Sequence, residues 1–115
     1  MDRSDVRTPP LRPAVYHILL ALNAGARHGL GIADEIERMS SGALELGPGT
    51  LYRSLADMAE AGLIAAAPAP SDEEDPRRKH YRITKAGRGL LVRETGRLGR
   101  LLDTARAQGI LAEQE

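Results

Sequence analysis

The most constraining feature of this chain is a short helical pattern that runs directly into a strand-like segment. The pattern opens with Gly47, Pro48 and Gly49, and proline suits the first turn of a helix because the N–H group that it lacks has no partner there. Gly62 is suited to end the helix, and an apolar run begins immediately after it. Four apolar residues recur at helical spacing, which predicts one buried face. They are Leu51, Leu55, Met58 and Ala59.

The opposite face of this helix is polar and predicts contact with DNA. Short polar side chains and a fork-shaped guanidinium suit a helix in the major groove, where they meet phosphates and base edges. For Arg53 the alternative is a surface ion pair with Asp57 one turn later, and for Thr50 it is capping of the helix start. The polar face consists of Thr50, Arg53, Ser54 and Asp57.

The patterns on either side predict a mainly α (α+β) fold, a winged helix-turn-helix with a two-stranded wing. Pro13 opens a first helix, and a second helix follows the His28-Gly29 turn. Residues 43–46 are predicted to form a short strand or an extended connector that leads to the third helix. Residues 63–66 and 79–83 are the predicted wing strands, and the second of them alternates with period two.

Charge is segregated along the chain, although the net charge is zero. Residues 76–106 contain ten cations and two acids, and DNA affinity depends on where cations meet phosphates rather than on the total. The loop between the wing strands contains three prolines and the acidic run Asp72–Asp75, so we expect it to be polar and mobile. Only the basic stem of the wing is then expected to approach the DNA backbone. It consists of Arg77, Arg78, Lys79 and Arg82.

A long fourth helix is predicted to follow Thr84, a suitable N-cap. So small a domain has little core left for the apolar stripe of this helix to cover, so we expect the helix to dimerise; folding back on its own domain is the alternative. The predicted organisation is a flexible leader (1–11), a DNA-binding domain (12–86), a dimerisation helix (87–108) and a flexible tail (109–115). The predicted dimer contacts are Leu90, Leu91, Leu98, Leu101, Leu102 and Ala105.

Composition argues against several classes of site. The chain contains no Cys, and its three His residues have no ligand spacing, so disulfides, thiol catalysis and metal sites are not expected. It has no glycine-rich phosphate loop after a strand and no nucleophile-base arrangement, so we expect neither enzyme activity nor a cofactor. No apolar run approaches the roughly 20 residues of a membrane span, and the charged leader is unlike a signal peptide. The protein is therefore predicted to be cytoplasmic, with no membrane partner.

Three motifs together resemble the PadR family of bacterial transcriptional regulators. They are His28-Gly29-Leu30, the segment from Gly47 to Leu55, and the segment from Arg77 to Gly87. The resemblance covers roughly residues 12 to 108 and is to the short type of the family, which has a single C-terminal dimerisation helix. It implies that Tyr52 lies on the DNA-facing side of its helix; for a tyrosine considered alone, half-buried packing is the alternative.

The residues and the resemblance together predict a sequence-specific DNA-binding transcriptional regulator. We expect a homodimeric repressor that binds double-stranded DNA at an inverted-repeat operator, with half-sites about one helical turn apart. The resemblance also implies a small-molecule effector, although the absence of Trp and Phe argues against a flat aromatic compound. The alternative is a winged-helix module that binds another protein and no DNA. On the third helix the expected DNA contacts are Pro48, Gly49, Thr50, Tyr52, Arg53 and Ser54.

Overall fold

The computed structural model describes residues 6–112, and it confirms the predicted mainly α, winged-helix architecture. The helices are α1 (Pro13–Asn23), α2 (Gly29–Met39), α3 (Pro48–Glu60) and α4 (Lys85–Ala107), and the strands are β1 (Arg27–His28), β2 (Ile64–Ala67) and β3 (His80–Ile83). All four helices and both wing strands begin and end close to their predicted positions. Residues 1–5 of the predicted leader and 113–115 of the predicted tail lie outside the described part of the chain.

The sheet has three antiparallel strands in the order β1-β3-β2, where the sequence predicted two. Strand β1 pairs Arg27 with Tyr81 and His28 with His80. It was missed because two residues are too few to show an alternating pattern. Residues 43–46 form no strand and connect α2 to α3 without regular secondary structure, and Leu44 and Leu46 in this connector pack against the core.

The hydrophobic core lies between α1 and the elements around it. Helix α1 contacts α2, α3, α4 and β3, and its residues Val15, Ile18, Leu19 and Leu22 are buried. The core includes Val15, Ile18, Leu19, Leu22, Ile32, Ile36, Leu51, Leu55, Met58 and Ile64. Within the described residues, no helix has the length and apolar character needed to cross a membrane.

The first half of α4 belongs to this same core. Leu90 and Leu91, predicted to contact a second protomer, are only 1% and 4% exposed. The prediction was wrong for these two residues because α4 packs against α1 before it extends beyond the domain. Leu98 and Ala105 are half-buried, whereas Leu101 and Leu102 are exposed.

A buried carboxylate joins the N-terminal segment to α4. Glu94 accepts a hydrogen bond from the amide of Leu11 at 2.9 Å and forms an ion pair with Arg97 at 2.8 Å. The Arg97 guanidinium, followed by the Leu11 amide, holds the pKa of the Glu94 carboxyl below its ordinary value, although burial opposes this shift. Val6 and Leu11 are themselves buried, so the packed core begins before residue 12, where the sequence placed the domain boundary.

The end of α3 is fixed by a glycine and by the start of α4. Gly62 has a φ of 80°, and the amides of Gly62 and Leu63 bond back to Ala59 and Met58 in the pattern that commonly closes a helix. The carbonyl of Leu63 then accepts a hydrogen bond from the amide of Thr84 at 3.0 Å. The Thr84 hydroxyl donates a hydrogen bond to the carbonyl oxygen of Gly62 at 2.6 Å. The same hydroxyl caps α4 by accepting a hydrogen bond from the amide of Gly87 at 3.0 Å.

Gly87→Ala should destabilise the fold. A Cβ at Gly87 would overlap the carbonyl oxygen of Leu63 and press on Ile83. Because a backbone carbonyl cannot rotate away, we expect the free energy of unfolding to fall by about 1–3 kcal/mol, measured by urea denaturation. The matched control is Gly99→Ala in the same helix, where nothing lies within 4 Å of the added Cβ. That change should instead stabilise the protein by up to about 1 kcal/mol. Equal effects of the two substitutions would contradict the proposed packing.

Candidate nucleic-acid interface

The N-terminal half of α3 presents most of its predicted DNA contacts to solvent. The helix is held by Leu51 and Leu55, which are buried beneath it. Within residues 6–112, Arg53 forms no ion pair, so its guanidinium is not engaged by Asp57. The exposed residues of this half are Pro48, Gly49, Thr50, Tyr52 and Arg53.

Ser54 does not lie on this exposed face. It is only 7% exposed, because it follows Leu51 by three residues and so falls on the core-facing stripe with Leu55 and Met58. The sequence assigned it to the DNA-facing side from its polarity alone, and that assignment was wrong. Ala59, predicted to be buried, is exposed instead.

Tyr52 extends from α3 towards the wing, and together they border one cleft. This cleft has a volume of about 640 Å³. Tyr52 is 48% exposed and its hydroxyl lies directly over Gly29, where a Cβ would overlap it. The absence of a side chain at Gly29 therefore allows α3 and the start of α2 to approach. The cleft is lined by His28, Gly29, Leu30, Tyr52, Asp75, Arg77, Arg78, Lys79 and Tyr81.

The four cations in the basic stem of the wing do not all lie on the same surface. Arg77, Arg78 and Lys79 precede β3 and line the cleft with Tyr52. Arg82 is exposed but does not line the cleft, because side chains on a strand alternate and Tyr81 faces the cleft. Burial raises the pKa of the Tyr81 hydroxyl, and the nearby Tyr52 adds to this effect.

The acidic loop folds back onto the stem of the wing. The side chain of Glu73 is only 6% exposed, and its carboxylate contacts Nε2 of His80 at 3.1 Å and the Arg78 guanidinium at 3.3 Å. The ring of His80 is also buried, and it packs edge-on against His28 with 5.4 Å between ring centroids. The sequence predicted a polar, mobile loop and did not predict that Glu73 within it is buried. Nothing local in the sequence indicates this cluster, because pairing of β1 with β3 assembles it.

A second acid of the loop engages the neighbouring cation. Asp75 accepts hydrogen bonds from the amide of Arg77 at 3.0 Å and from its guanidinium at 3.2 and 3.4 Å. The Arg77 side chain, and then its amide, hold the pKa of the Asp75 carboxyl below its ordinary value. The pKa of the Glu73 carboxyl is lowered chiefly by the amide of Asp75, with Arg78 contributing, although burial opposes the shift. Both carboxylates are therefore charged at neutral pH.

The described residues do not assemble a metal site here. Among residues 6–112, no three His, Cys, Asp or Glu side chains are grouped so as to hold a metal ion. The candidate interface consists of the exposed face of α3, which includes Tyr52, and the cations of the folded wing loop. These are groups that meet phosphates, sugars and base edges.

Comparison with known proteins identifies the family of this chain and proteins with a similar fold. The family model described as the transcriptional regulator PadR-like family matches residues 18–93. A PadR family transcription regulator from Clostridium difficile has a similar structure, with a TM-score of 0.69 at 21% identity over 82% of this chain and 95% of that chain. A transcriptional regulator from Clostridium thermocellum has a TM-score of 0.68 at 21% identity, covering 82% and 87% of the two chains. At these identities the structural likeness concerns the fold alone.

A curated relative shares part of the sequence. An uncharacterized 37.1 kDa protein in transposon TN4556 of Streptomyces fradiae is 38% identical over 84 residues, which are 73% of this chain and 22% of that protein. The match thus spans about a fifth of the length of that relative. The family match covers most of the folded domain, including α3, the wing and the first turns of α4. The chain belongs to the PadR-like family of transcriptional regulators.

Proposed function

We propose that this regulator binds a specific DNA sequence as a homodimer and represses transcription by occluding a promoter. Its operator would be an inverted repeat in double-stranded DNA, and its site of action would be the cytoplasm. The observation that carries this proposal is that Tyr52 of α3 lines one cleft with Arg77, Arg78 and Lys79 of the wing, while Thr50 and Arg53 are exposed on the same helix. A winged-helix module for protein binding would be expected to present apolar or acidic residues there.

Helix α3 supplies the groups suited to base recognition. Arg53 is exposed and unpaired within the described residues, and an arginine in the major groove recognises guanine by two hydrogen bonds. Thr50 is exposed one turn earlier on the same helix. We propose that these two side chains contact the groove while Tyr52 positions the helix against the adjacent backbone.

The wing supplies groups suited to phosphate. Lys79 is exposed, lines the cleft with Tyr52 and has no acidic partner among residues 6–112. A lysine ammonium is a point charge that contacts phosphate with little geometric demand. Contacts of this kind fix orientation and affinity without distinguishing one base pair from another.

The distal half of α4 supports dimerisation. The stripe that buries Leu90, Leu91 and Glu94 continues at steps of three and four residues beyond the end of the domain. Leu101 and Leu102 on this continuation are 55% and 50% exposed. Exposed leucines on one helix face, with no core of their own to cover, are suited to pack against a second copy. The continued stripe consists of Leu98, Leu101, Leu102 and Ala105.

Arg53→Ala and Lys79→Ala should weaken DNA binding in different ways. Arg53→Ala removes a proposed base contact, so it should reduce the binding free energy by about 1–3 kcal/mol on operator DNA and by little on random DNA. Lys79→Ala removes a proposed phosphate contact, so it should weaken binding to both DNAs alike and reduce the slope of log affinity against log salt concentration by about one. Fluorescence anisotropy on operator and scrambled duplexes at several salt concentrations measures both effects. Indistinguishable behaviour of the two variants would refute this division of roles.

Leu102→Glu should dissociate the dimer, because a charge would be buried at the proposed helix contact. Sedimentation velocity should detect a dimer for the unsubstituted protein and a monomer for the variant. Leu30→Glu is the matched control, because Leu30 is 57% exposed on α2 and lies in the DNA-facing cleft. That variant should remain dimeric. A dimer unaffected by Leu102→Glu, or a monomeric parent protein, would contradict the proposed interface.

A further inference from the structure

Two cations of the proposed phosphate-binding surface are already occupied by acids of the same loop. Asp75 engages both Nε and a terminal nitrogen of Arg77, and Glu73 engages a terminal nitrogen of Arg78. The remaining acids of the run, Asp72 and Glu74, are exposed and form no ion pair within residues 6–112. The four consecutive acids therefore divide into two that pair with cations and two that do not.

We propose that Glu73 and Asp75 act as internal competitors of DNA, occupying in the free protein the guanidinium groups that would bind two backbone phosphates. This inference rests on the proposed function, since it requires that the wing contacts DNA. A carboxylate and a phosphate each present two oxygens that match the same guanidinium fork. The loop thus lowers DNA affinity without covering the face of α3.

The two ion pairs differ in how readily they open. Arg77 is 89% exposed and its partner Asp75 is 34% exposed, so solvent screens this pair. The Arg78 side chain is 41% exposed and Glu73 is nearly buried. Glu73 also keeps its contact with His80 and its hydrogen bond from the amide of Asp75 at 2.9 Å. If Arg78 turns to a phosphate, Glu73 retains these two partners, so the loop keeps its shape while the cations exchange partners.

Because the loop is anchored, its paired acids contact the cations directly, and this separates the proposed competition from a general effect of negative charge. A freely solvated acidic segment would lower DNA affinity only by its average charge, an effect that salt screens within about 10 Å at moderate ionic strength. Direct ion pairs at 3.2 to 3.4 Å instead require each guanidinium to break a specific contact before it binds phosphate. The competition should therefore depend on which acids are removed and not only on how many.

A pair of charge-matched double variants tests this dependence. Glu73→Gln with Asp75→Asn removes the paired acids, and Asp72→Asn with Glu74→Gln removes the unpaired acids from the same four residues. Asp75→Asn leaves a side-chain oxygen to accept the hydrogen bond that the amide of Arg77 donates, so we expect the turn to be preserved. The probe is a short fluorescein-labelled duplex of scrambled sequence, with affinity measured by anisotropy at low salt and folding checked by circular dichroism.

We expect both double variants to bind more tightly than the parent protein, because each loses two negative charges. The affinity of the variant lacking the paired acids should exceed that of its matched control by about threefold to tenfold, the range expected when two ion pairs with solvent-accessible arginines are removed from the unbound state. This excess should disappear when Arg77→Ala and Arg78→Ala are added, because the competition then has no cations to act on. If Glu73→Gln disturbs folding, Asp75→Asn against Asp72→Asn gives the same comparison.

The possible results separate this inference from the proposed function. Equal affinities of the two double variants would overturn the competition while leaving DNA binding intact. An excess that persists without Arg77 and Arg78 would overturn it as well, because general charge would then account for the effect. Failure of the folded parent protein and all variants to bind this scrambled duplex at low salt would remove the phosphate contacts that the inference requires and would overturn it, whereas the proposed function is tested separately on promoter DNA.

Discussion

At the end of α3, the carbonyl oxygen of Leu63 accepts a hydrogen bond from the amide of Thr84, and the first turn of α4 packs against that same carbonyl because Gly87 has no side chain. This junction joins α3, the end of the wing and the start of α4 within a few residues of one another. The base of the wing is therefore tied to the end of α3 and to the start of α4 by backbone contacts rather than by flexible side chains. The direction in which α4 leaves the domain is set at the same place.

Electrostatics on the wing depends on pairing rather than on net charge. The stem carries four cations, and two of them are engaged by Glu73 and Asp75. Lys79 and Arg82 form no ion pair within the described residues, and Lys79 lines the cleft with Tyr52. The cluster of Glu73, His80 and His28 gives the loop a fixed attachment to the sheet. A chain with no net charge can therefore present cations on one surface while holding acids close to them.

The sequence predicts the helices that begin or end at a residue with a strong local preference for that position. Pro13 and Pro48 begin helices, Gly62 ends one and Thr84 caps another, and each of these expectations is confirmed. The features that were missed depend on packing between distant segments. The two-residue strand β1 is defined only by its pairing with β3, and Leu90 and Leu91 are buried in the core of their own domain, where α4 packs against α1.

At the candidate interface, too, the features set by local sequence were predicted and those set by packing between distant segments were not. Residue types and spacing predict which helix and which loop supply the polar groups, and α3 and the wing do lie together. They do not predict that Ser54 is buried, because polarity outweighed helical position in its assignment. They also do not predict the burial of Glu73, whose partner His80 comes from the following strand and is enclosed only when β1 pairs with it.

The central claim is that the surface formed by α3 and the wing recognises a particular DNA sequence. The most direct measurement is fluorescence anisotropy of the purified protein on DNA from its own promoter region, against a shuffled duplex of equal length, at two salt concentrations. Our account predicts salt-sensitive binding with a clear preference for the promoter DNA. Absence of binding to either duplex by a folded, dimeric protein would contradict it and would favour a protein partner for this surface.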